Sequence, residues 1–437
     1  MDGKGQSLYR KARRRIPGGT QLLSKRPELL LPEQWPSYYS RAKGCEVWDL
    51  DGQKYTDMSY MGIGACILGY ADTHVDDAVR AAIEAGSMCT LNCPEEMELA
   101  DLLCELHPWA DMVRFARGGG EAMAVAVRIA RARTRKTKVV FCGYHGWHDW
   151  YLAANLGEQD ALDGHLLPGL KPAGVPRSLR NTAFAFHYNR IDELKTVVSQ
   201  NKDEIAAIVM EPLRNHEPEP GFLEAVREIA ASTRAVLVFD EVSSGLRLTP
   251  GGAHLLYGVT PDIAVFAKAM SNGYAMAAII GTEDVMQAAQ DTFISSTYWT
   301  ERIGPAAALA TIRKHRRCNV AQHLTTIGEH IRRVWAAAAD RSGLRITLHG
   351  IAPLSHFSLD YENAQAVRTL FTQAMLERGF LATNAFYASY AHQGRDVENY
   401  SQAVTEAFEF LADAVDRNYV ERLLKGPIAH TGFHRLT

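Results

Sequence analysis

Residues 236–247 read Val-Leu-Val-Phe-Asp-Glu-Val-Ser-Ser-Gly-Leu-Arg. An unbroken run of β-branched and aromatic residues that closes on two carboxylates and a Ser/Gly turn is the pattern of a parallel strand buried on both faces, delivering charge to one edge of a sheet. Working outward, similar compact runs recur: "MVRFA" (112–116), "KVVFCG" (138–143), "IAAIVMEP" (205–212), "DIAVFAKAM" (262–270) and "AAIIGT" (277–282). They alternate with segments whose apolar residues fall at helical spacing, "HVDDAVRAAIEAG" (74–86), "EMELADLLCELH" (96–107) and "EAMAVAVRIARART" (121–134). Such alternation predicts an α/β architecture with a mostly parallel sheet flanked by helices, whose functional groups collect at the carboxyl ends of the strands.

The texture changes near residues 310–320. Beyond "TERIGPAAALATIRKHRR" (300–317) come long amphipathic helices with a few short strands, "RITLHG" (345–350) and "LSHFSLD" (354–360). Near the other terminus, "AKGCEVWDLDGQKYTDM" (42–58) reads as two short strands around Asp51-Gly52. The expected organisation is an N-terminal segment, 1–65, packing with a smaller α+β domain at 313–437, and a large domain at 66–312.

Composition narrows the chemistry. Lys and Arg total 47 against 50 Asp and Glu, a net charge of −3 over 437 residues, so no basic field calls for nucleic acid or an anionic membrane. The basic N-terminus lacks an apolar signal core, and no stretch reaches the roughly 18 uninterrupted apolar residues of a membrane span. A cytoplasmic enzyme acting on small molecules is the simplest reading. Seven scattered cysteines, Cys45, Cys66, Cys89, Cys93, Cys104, Cys142 and Cys318, are expected to be reduced and mostly buried.

Two adjacent acids at a buried strand end need a cationic partner. A metal-bound nucleotide would require a G-x-x-x-x-G-K-[ST] loop, which the chain lacks, and the run "RGGGEA" (117–122) does not match the dinucleotide fingerprint G-x-G-x-x-G. An acid facing a protonated heterocycle remains, the arrangement pyridoxal phosphate demands, because a carboxylate on the pyridinium nitrogen keeps the ring able to accept carbanion electrons. Asp240 is the acid. A Schiff-base lysine should end another strand, and Lys268 does so 28 residues later. The glycine turn at Gly118–Gly120 runs into a helix start, where backbone amides favour a phosphate. Tyr144 in "FCGYHGWHDW" (141–150) is an aromatic able to cover the ring. His145 and His148 form an H-x-x-H pair, but no third ligand follows at metalloprotease spacing, so no metal is expected. Glu241 should point away from Asp240, since neighbouring strand residues face opposite ways.

This order of motifs resembles the class III (subgroup II) pyridoxal-phosphate aminotransferases of fold type I, particularly glutamate-1-semialdehyde aminomutase and its bacterial relatives. The likeness runs from "RRRIPGG" (13–19) through "MVRFARGGGEAMAVAVRIARA" (112–132), "GYHGWHD" (143–149), "MEP" (210–212) and "VFDEVSSGLR" (238–247) to "FAKAMSNG" (266–273). It implies a large domain with a seven-stranded sheet and a homodimer. It also implies that Lys268 carries the cofactor as a Schiff base and shuttles the proton, that Asp240 pairs with the ring nitrogen, and that Tyr144 and Val242 cover opposite faces of the ring. Gly119 and Gly120 would offer amides to the phosphate, Glu211 would order the acid and its surroundings, and Thr300 would reach the phosphate of the neighbouring subunit.

The chain departs from the family pattern mainly on the substrate side. The family's hydroxyls around the middle glycine are missing here, leaving Thr300 and Ser244 as hydroxyl candidates for the phosphate. "TQLLSKRPELL" (20–30) replaces the family's substrate-facing region, with Arg26 as a carboxylate candidate, and Asn384 falls at the gating glutamate of the mutase. The resemblance therefore implies an aminotransferase working between an amino donor and an aldehyde or keto acceptor through Schiff-base intermediates and pyridoxamine phosphate. Intramolecular amino transfer of the aminomutase type is the alternative, and a cofactor-binding protein without turnover is a third reading.

Overall fold

The computed structural model describes residues 3–158, 160–165, 168–201, 203–213 and 215–433. The chain divides into two compact units, Thr73–Ala321 and a second made of Met1–Asp72 with Gln322–Thr437.

In Thr73–Ala321 the apolar runs form one seven-stranded sheet. Its strands are β1 (Met112–Ala116), β2 (Lys138–Cys142), β3 (Ala183–Ala185), β4 (Ile205–Met210), β5 (Val236–Asp240), β6 (Ile263–Phe266) and β7 (Ala277–Gly281), in the order β1-β7-β6-β5-β4-β2-β3. Only β7 runs against the others, pairing antiparallel with both β1 and β6. Strands β4 to β7 are buried along their whole length, which explains their continuous rather than alternating hydrophobicity.

Side-chain alternation still divides the sheet into two faces. Val236 and Val238 of β5, Ala207 and Val209 of β4, and Ile263 and Val265 of β6 pack with Ala122, Met123 and Ala126 of helix α1 (Gly119–Thr134). Leu237, Phe239, Ile208 and Met210 pack on the other face with Phe222, Leu223 and Val226 of helix α2 (Phe222–Thr233). Continuing this period of two past the strand ends puts Asp240 and Glu211 in phase with the α1 face and Glu241 in phase with the opposite one. One burial decision in the strand thus fixes which acid is offered to the site.

In the second unit, strands at Tyr39–Lys43, Glu46–Asp49 and Lys54–Asp57 form an antiparallel meander, and Phe380–Leu381 adds to it in parallel. A separate three-stranded antiparallel sheet pairs Ile346–His349, Leu354–Leu359 and Ala385–Tyr387. Phe357, Phe371 and Phe408 meet edge to face at centroid distances of 5.5, 5.6 and 5.7 Å and tie that sheet to helices Ala364–Glu377 and Gly394–Asp416. Asn384 spends its side-chain amide on the Phe357 carbonyl at 2.8 Å.

All seven cysteines are free, but only Cys45 and Cys142 are buried, and Cys89 is exposed. The expectation of mostly buried thiols is corrected: five of the seven sit in helices or loops at the unit surfaces, where cysteine spacing carries no burial signal. Among the described residues no helix is long and apolar enough to cross a membrane.

Candidate active site

Asp240 and Lys268 end neighbouring parallel strands, Asp240 lying directly opposite Val265 in the β5–β6 register. Asp240 is 3% exposed. Its Oδ1 accepts the Val242 amide at 3.0 Å and its Oδ2 lies 2.8 Å from His145 Nδ1. The other ring nitrogen of His145, Nε2, is 3.0 Å from the Cys142 carbonyl oxygen. Both nitrogens thus have a partner, which fixes the buried ring between the end of β2 and the carboxylate. A carboxylate has about four lone-pair positions, so Asp240 keeps capacity for one more donor.

Lys268 stands just past β6 at φ +43°, in the left-handed region, a conformation that costs a non-glycine residue about 1–3 kcal/mol and concentrates at functional sites. The kink breaks the strand alternation that Ala267 still follows and brings Nζ to 2.8 Å from Ser243 Oγ, to which it donates.

The glycine turn enters the same edge from β1. Gly119 and Gly120 open α1, so their amides have no acceptor within the helix. A Cβ added at Gly119 would lie 2.9 Å from Val242 Cγ1 and 3.6 Å from the Ala267 Cβ, so the turn is pressed against residues flanking both Asp240 and Lys268. Glu121 folds back, its Oε2 accepting the amides of Arg117 at 3.0 Å and Gly118 at 3.3 Å. Tyr144 follows β2; its amide donates to Glu211 Oε2 at 3.4 Å. The turn before it needs glycine, because Gly143 has φ +108° and a Cβ there would come within 2.8 Å of that same Glu211 oxygen.

Glu241 faces the opposite side and is fully enclosed. Its Oε1 accepts the backbone amide of His254 at 2.9 Å and the ring Nδ1 at 2.8 Å, and its Oε2 accepts the Ser244 hydroxyl at 2.6 Å. Burial pushes this carboxyl up, and the hydrogen bonds from His254 and Ser244 outweigh it, leaving it below the usual glutamate value. Ser244 is therefore corrected as a phosphate candidate: it lies in the turn after β5, where strand alternation has ended, and its hydroxyl is committed to Glu241. Thr300 ends an exposed turn, Thr297–Thr300, its hydroxyl donating to the Thr297 carbonyl at 2.9 Å.

Residues 32–384 match the Aminotransferase class-III family. The chain belongs to that family. It is 32% identical over 418 residues to the 3-aminobutyryl-CoA aminotransferase of Cloacimonas acidaminovorans, covering 92% of this chain and 96% of that one. Against the glutamate-1-semialdehyde 2,1-aminomutase of Syntrophobacter fumaroxidans it is 32% identical over 424 residues, with the same coverage of each. The FumI protein of Sphingopyxis sp. MTA144, solved in its PLP internal aldimine form, superposes with a TM-score of 0.86 at 26% identity, covering 95% of this chain and 98% of that one. The family's members are pyridoxal-phosphate enzymes, and this aminotransferase has the donor set that cofactor needs. A buried anion lies beside a kinked lysine, and first-turn amides open at a glycine that no larger residue could replace without meeting Val242.

That last point is testable. Gly119→Ala in the aminotransferase is expected to cost about 1–3 kcal/mol through overpacking, read as a lower Tm and faster loss of cofactor on dialysis. A variant with unchanged Tm and retention would mean that the turn has slack against Val242.

Two partners of the aminotransferase site escaped the sequence reading. The sequence offers His145 only as half of an H-x-x-H pair and gives Ser243 no role. His145 lies 95 residues from Asp240 and Ser243 lies 25 from Lys268, so no local spacing announces either pair. A faint signal existed for His145, which follows an aromatic at the end of a buried strand.

Proposed function

We propose that this aminotransferase moves an amino group from an amine donor to a carbonyl acceptor, with Lys268 as the covalent anchor and proton carrier and Asp240 as the anion under the ring nitrogen. One observation carries the reading: a buried carboxylate and a kinked lysine end adjacent parallel strands, next to a glycine turn that opens a helix. Pyridoxal phosphate, when bound, supplies the electron sink that accepts the pair left behind as a proton departs from the carbon bearing the amine.

The remaining steps belong to the chain. Asp240 would hold a positive ring nitrogen in place, and His145, 2.8 Å from Oδ2 and 3.0 Å from the Cys142 carbonyl, keeps that carboxylate oriented. Tyr144 and Val242 would bracket the ring, with Glu211 steadying the Gly143-Tyr144 turn. The amides of Gly119 and Gly120 and the dipole of α1 hold the phosphate dianion. Lys268 Nζ, hydrogen-bonded to Ser243 Oγ at 2.8 Å, would take up and hand on the proton of the substrate carbon, with Ser243 Oγ orienting the amine.

A homodimer fits the surface around Thr300. Trp147, Phe293 and Tyr298 are 70%, 86% and 71% exposed; the first two line one open groove with Trp299, an apolar surface that a second copy would cover while Thr300 reaches its phosphate. Seven free thiols and a near-neutral charge suit the cytoplasm.

The test is a donor panel. Holoenzyme mixed with a single amine, such as an α-amino acid, a β-amino thioester or a primary amine, should lose its visible absorbance and stall until a carbonyl acceptor is added. Sustained turnover of one amino-aldehyde with neither donor nor acceptor would instead establish the intramolecular reaction. Absorbance unmoved by every amine would overturn the transferase reading.

A further inference from the structure

The Thr300 turn is exposed, yet it is tied down by a half-buried arginine the chemistry does not use. Arg117, the residue before the glycine turn, sends Nη2 to the carbonyls of Trp299 at 2.9 Å and Glu301 at 2.8 Å, the two residues that flank Thr300. Nη1 donates to its own strand at the Ala116 carbonyl, 3.1 Å, and contacts Met276 Sδ at 3.1 Å. Nε lies 3.1 Å from Glu301 Oε1, an ion-pair contact without hydrogen-bond alignment. Glu301 in turn caps the helix Ile303–Arg317, accepting the amides of Ile303 at 2.7 Å and Gly304 at 2.8 Å. On the far side, Arg302 is held by Glu95 through three contacts of 2.7–3.0 Å and donates its amide to the Ser87 carbonyl at 2.9 Å.

Packing a guanidinium against backbone carbonyls costs desolvation that an apolar residue would avoid. What it gains is geometry: a planar fork binding the carbonyls on both sides of one residue leaves that residue's side chain little freedom. The fork is rooted at Arg117, the residue just past β1, and the next three residues are the glycine turn. Because Gly118–Gly120 offer no hydroxyls, a phosphate held here depends more heavily on whatever hydroxyl comes from outside the turn.

We infer that Arg117 is a positioning residue for phosphate binding: it fixes the Thr300 turn to the strand end carrying the glycine turn, so that one rigid strut serves the phosphate held by its own subunit and the one Thr300 reaches in a second copy. This rests on the reading of Thr300 given above. Preorganisation of this kind lowers the ordering cost on binding rather than adding a contact.

The experiment measures the dissociation constants of pyridoxal phosphate and of phosphate-free pyridoxal for the apoenzyme, in the parent, Arg117→Ala, Arg117→Lys, Thr300→Ala and the Arg117→Ala/Thr300→Ala double variant. Arg117→Ala is expected to weaken pyridoxal phosphate about tenfold, in line with loss of a charge-assisted hydrogen-bond set, and to leave pyridoxal unchanged. Arg117→Lys, which keeps the charge but not the fork, should fall between and serves if the alanine variant does not fold. In the Thr300→Ala background the arginine change should add nothing, because it acts through Thr300. Hydrogen exchange of the 296–302 backbone should quicken in Arg117→Ala and Arg117→Lys. If Thr300→Ala weakens pyridoxal phosphate while Arg117→Ala does not, or if the two losses multiply, the role of Arg117 is wrong and the Thr300 reading stands. If Thr300→Ala leaves both ligands unaffected, the Thr300 reading fails and this inference fails with it.

Discussion

Lys268→Ala is expected to lower transamination by about 10⁴-fold, the upper range for loss of a positioned acid–base group, and to remove the visible absorbance of the covalently held cofactor. In the proposed mechanism Nζ is both the attachment point and the proton carrier, so no other side chain described at this edge would substitute for it. Borohydride reduction of the parent followed by peptide mapping should find the adduct within residues 262–270. Loss of fold can be separated from loss of chemistry at this position. Lys268 occupies the left-handed region at φ +43°, which glycine adopts without strain, so Lys268→Gly should be as inactive as the alanine variant while its apo form keeps or raises its Tm. An adduct on a different residue, or a Lys268→Ala enzyme that still turns over, would remove the basis of the proposed mechanism.

Asp240→Asn is expected to reduce kcat/KM by about two to four orders of magnitude. Removing one member of a buried charge pair costs about 3–5 kcal/mol, and each 1.4 kcal/mol is about tenfold in rate. The amide oxygen of asparagine can still accept from His145 Nδ1, so the local packing survives. What disappears is the negative charge that would stabilise a protonated ring nitrogen. The loss should therefore appear mainly in kcat, with cofactor still bound. His145→Gln makes the comparison: a glutamine amide can still donate to Asp240, and the expected loss is about tenfold. Asp240→Asn within about threefold of the parent would show that the ring nitrogen is not paired there.

The architecture was legible because it is written locally. A strand buried on both faces must be apolar throughout, so β4 to β7 announced themselves as short runs, and α1 did so through its helical spacing. The chemistry at the strand ends was legible for a related reason. A carboxylate or an amine closing an apolar run is costly to bury without a purpose, which singled out Asp240 and Lys268, and the period of two along β5 correctly sent Glu241 to the opposite face. The expectation that Ser244 could serve the phosphate failed because the chain turns after Asp240: strict alternation would have put Ser244 on the Asp240 side, whereas the turn commits it to Glu241 and leaves Ser243 beside Lys268.

Partnership between distant segments was not legible. His145 meets Asp240 across 95 residues and Arg117 meets the Trp299 carbonyl across 182, and nothing in either neighbourhood specifies the other. Such pairs exist only after β2 and β5 are laid into one sheet, with β4 between them, and after the chain returns from β7 to the end of β1. Residue pattern alone determined which elements form and which charged groups end them, because those depend on burial along a single strand or helix. Tertiary structure decided which hydrogen bonds those groups make, because that depends on strand order and on turns whose geometry, as at Lys268 and Gly143, is set by contacts from elsewhere in the fold.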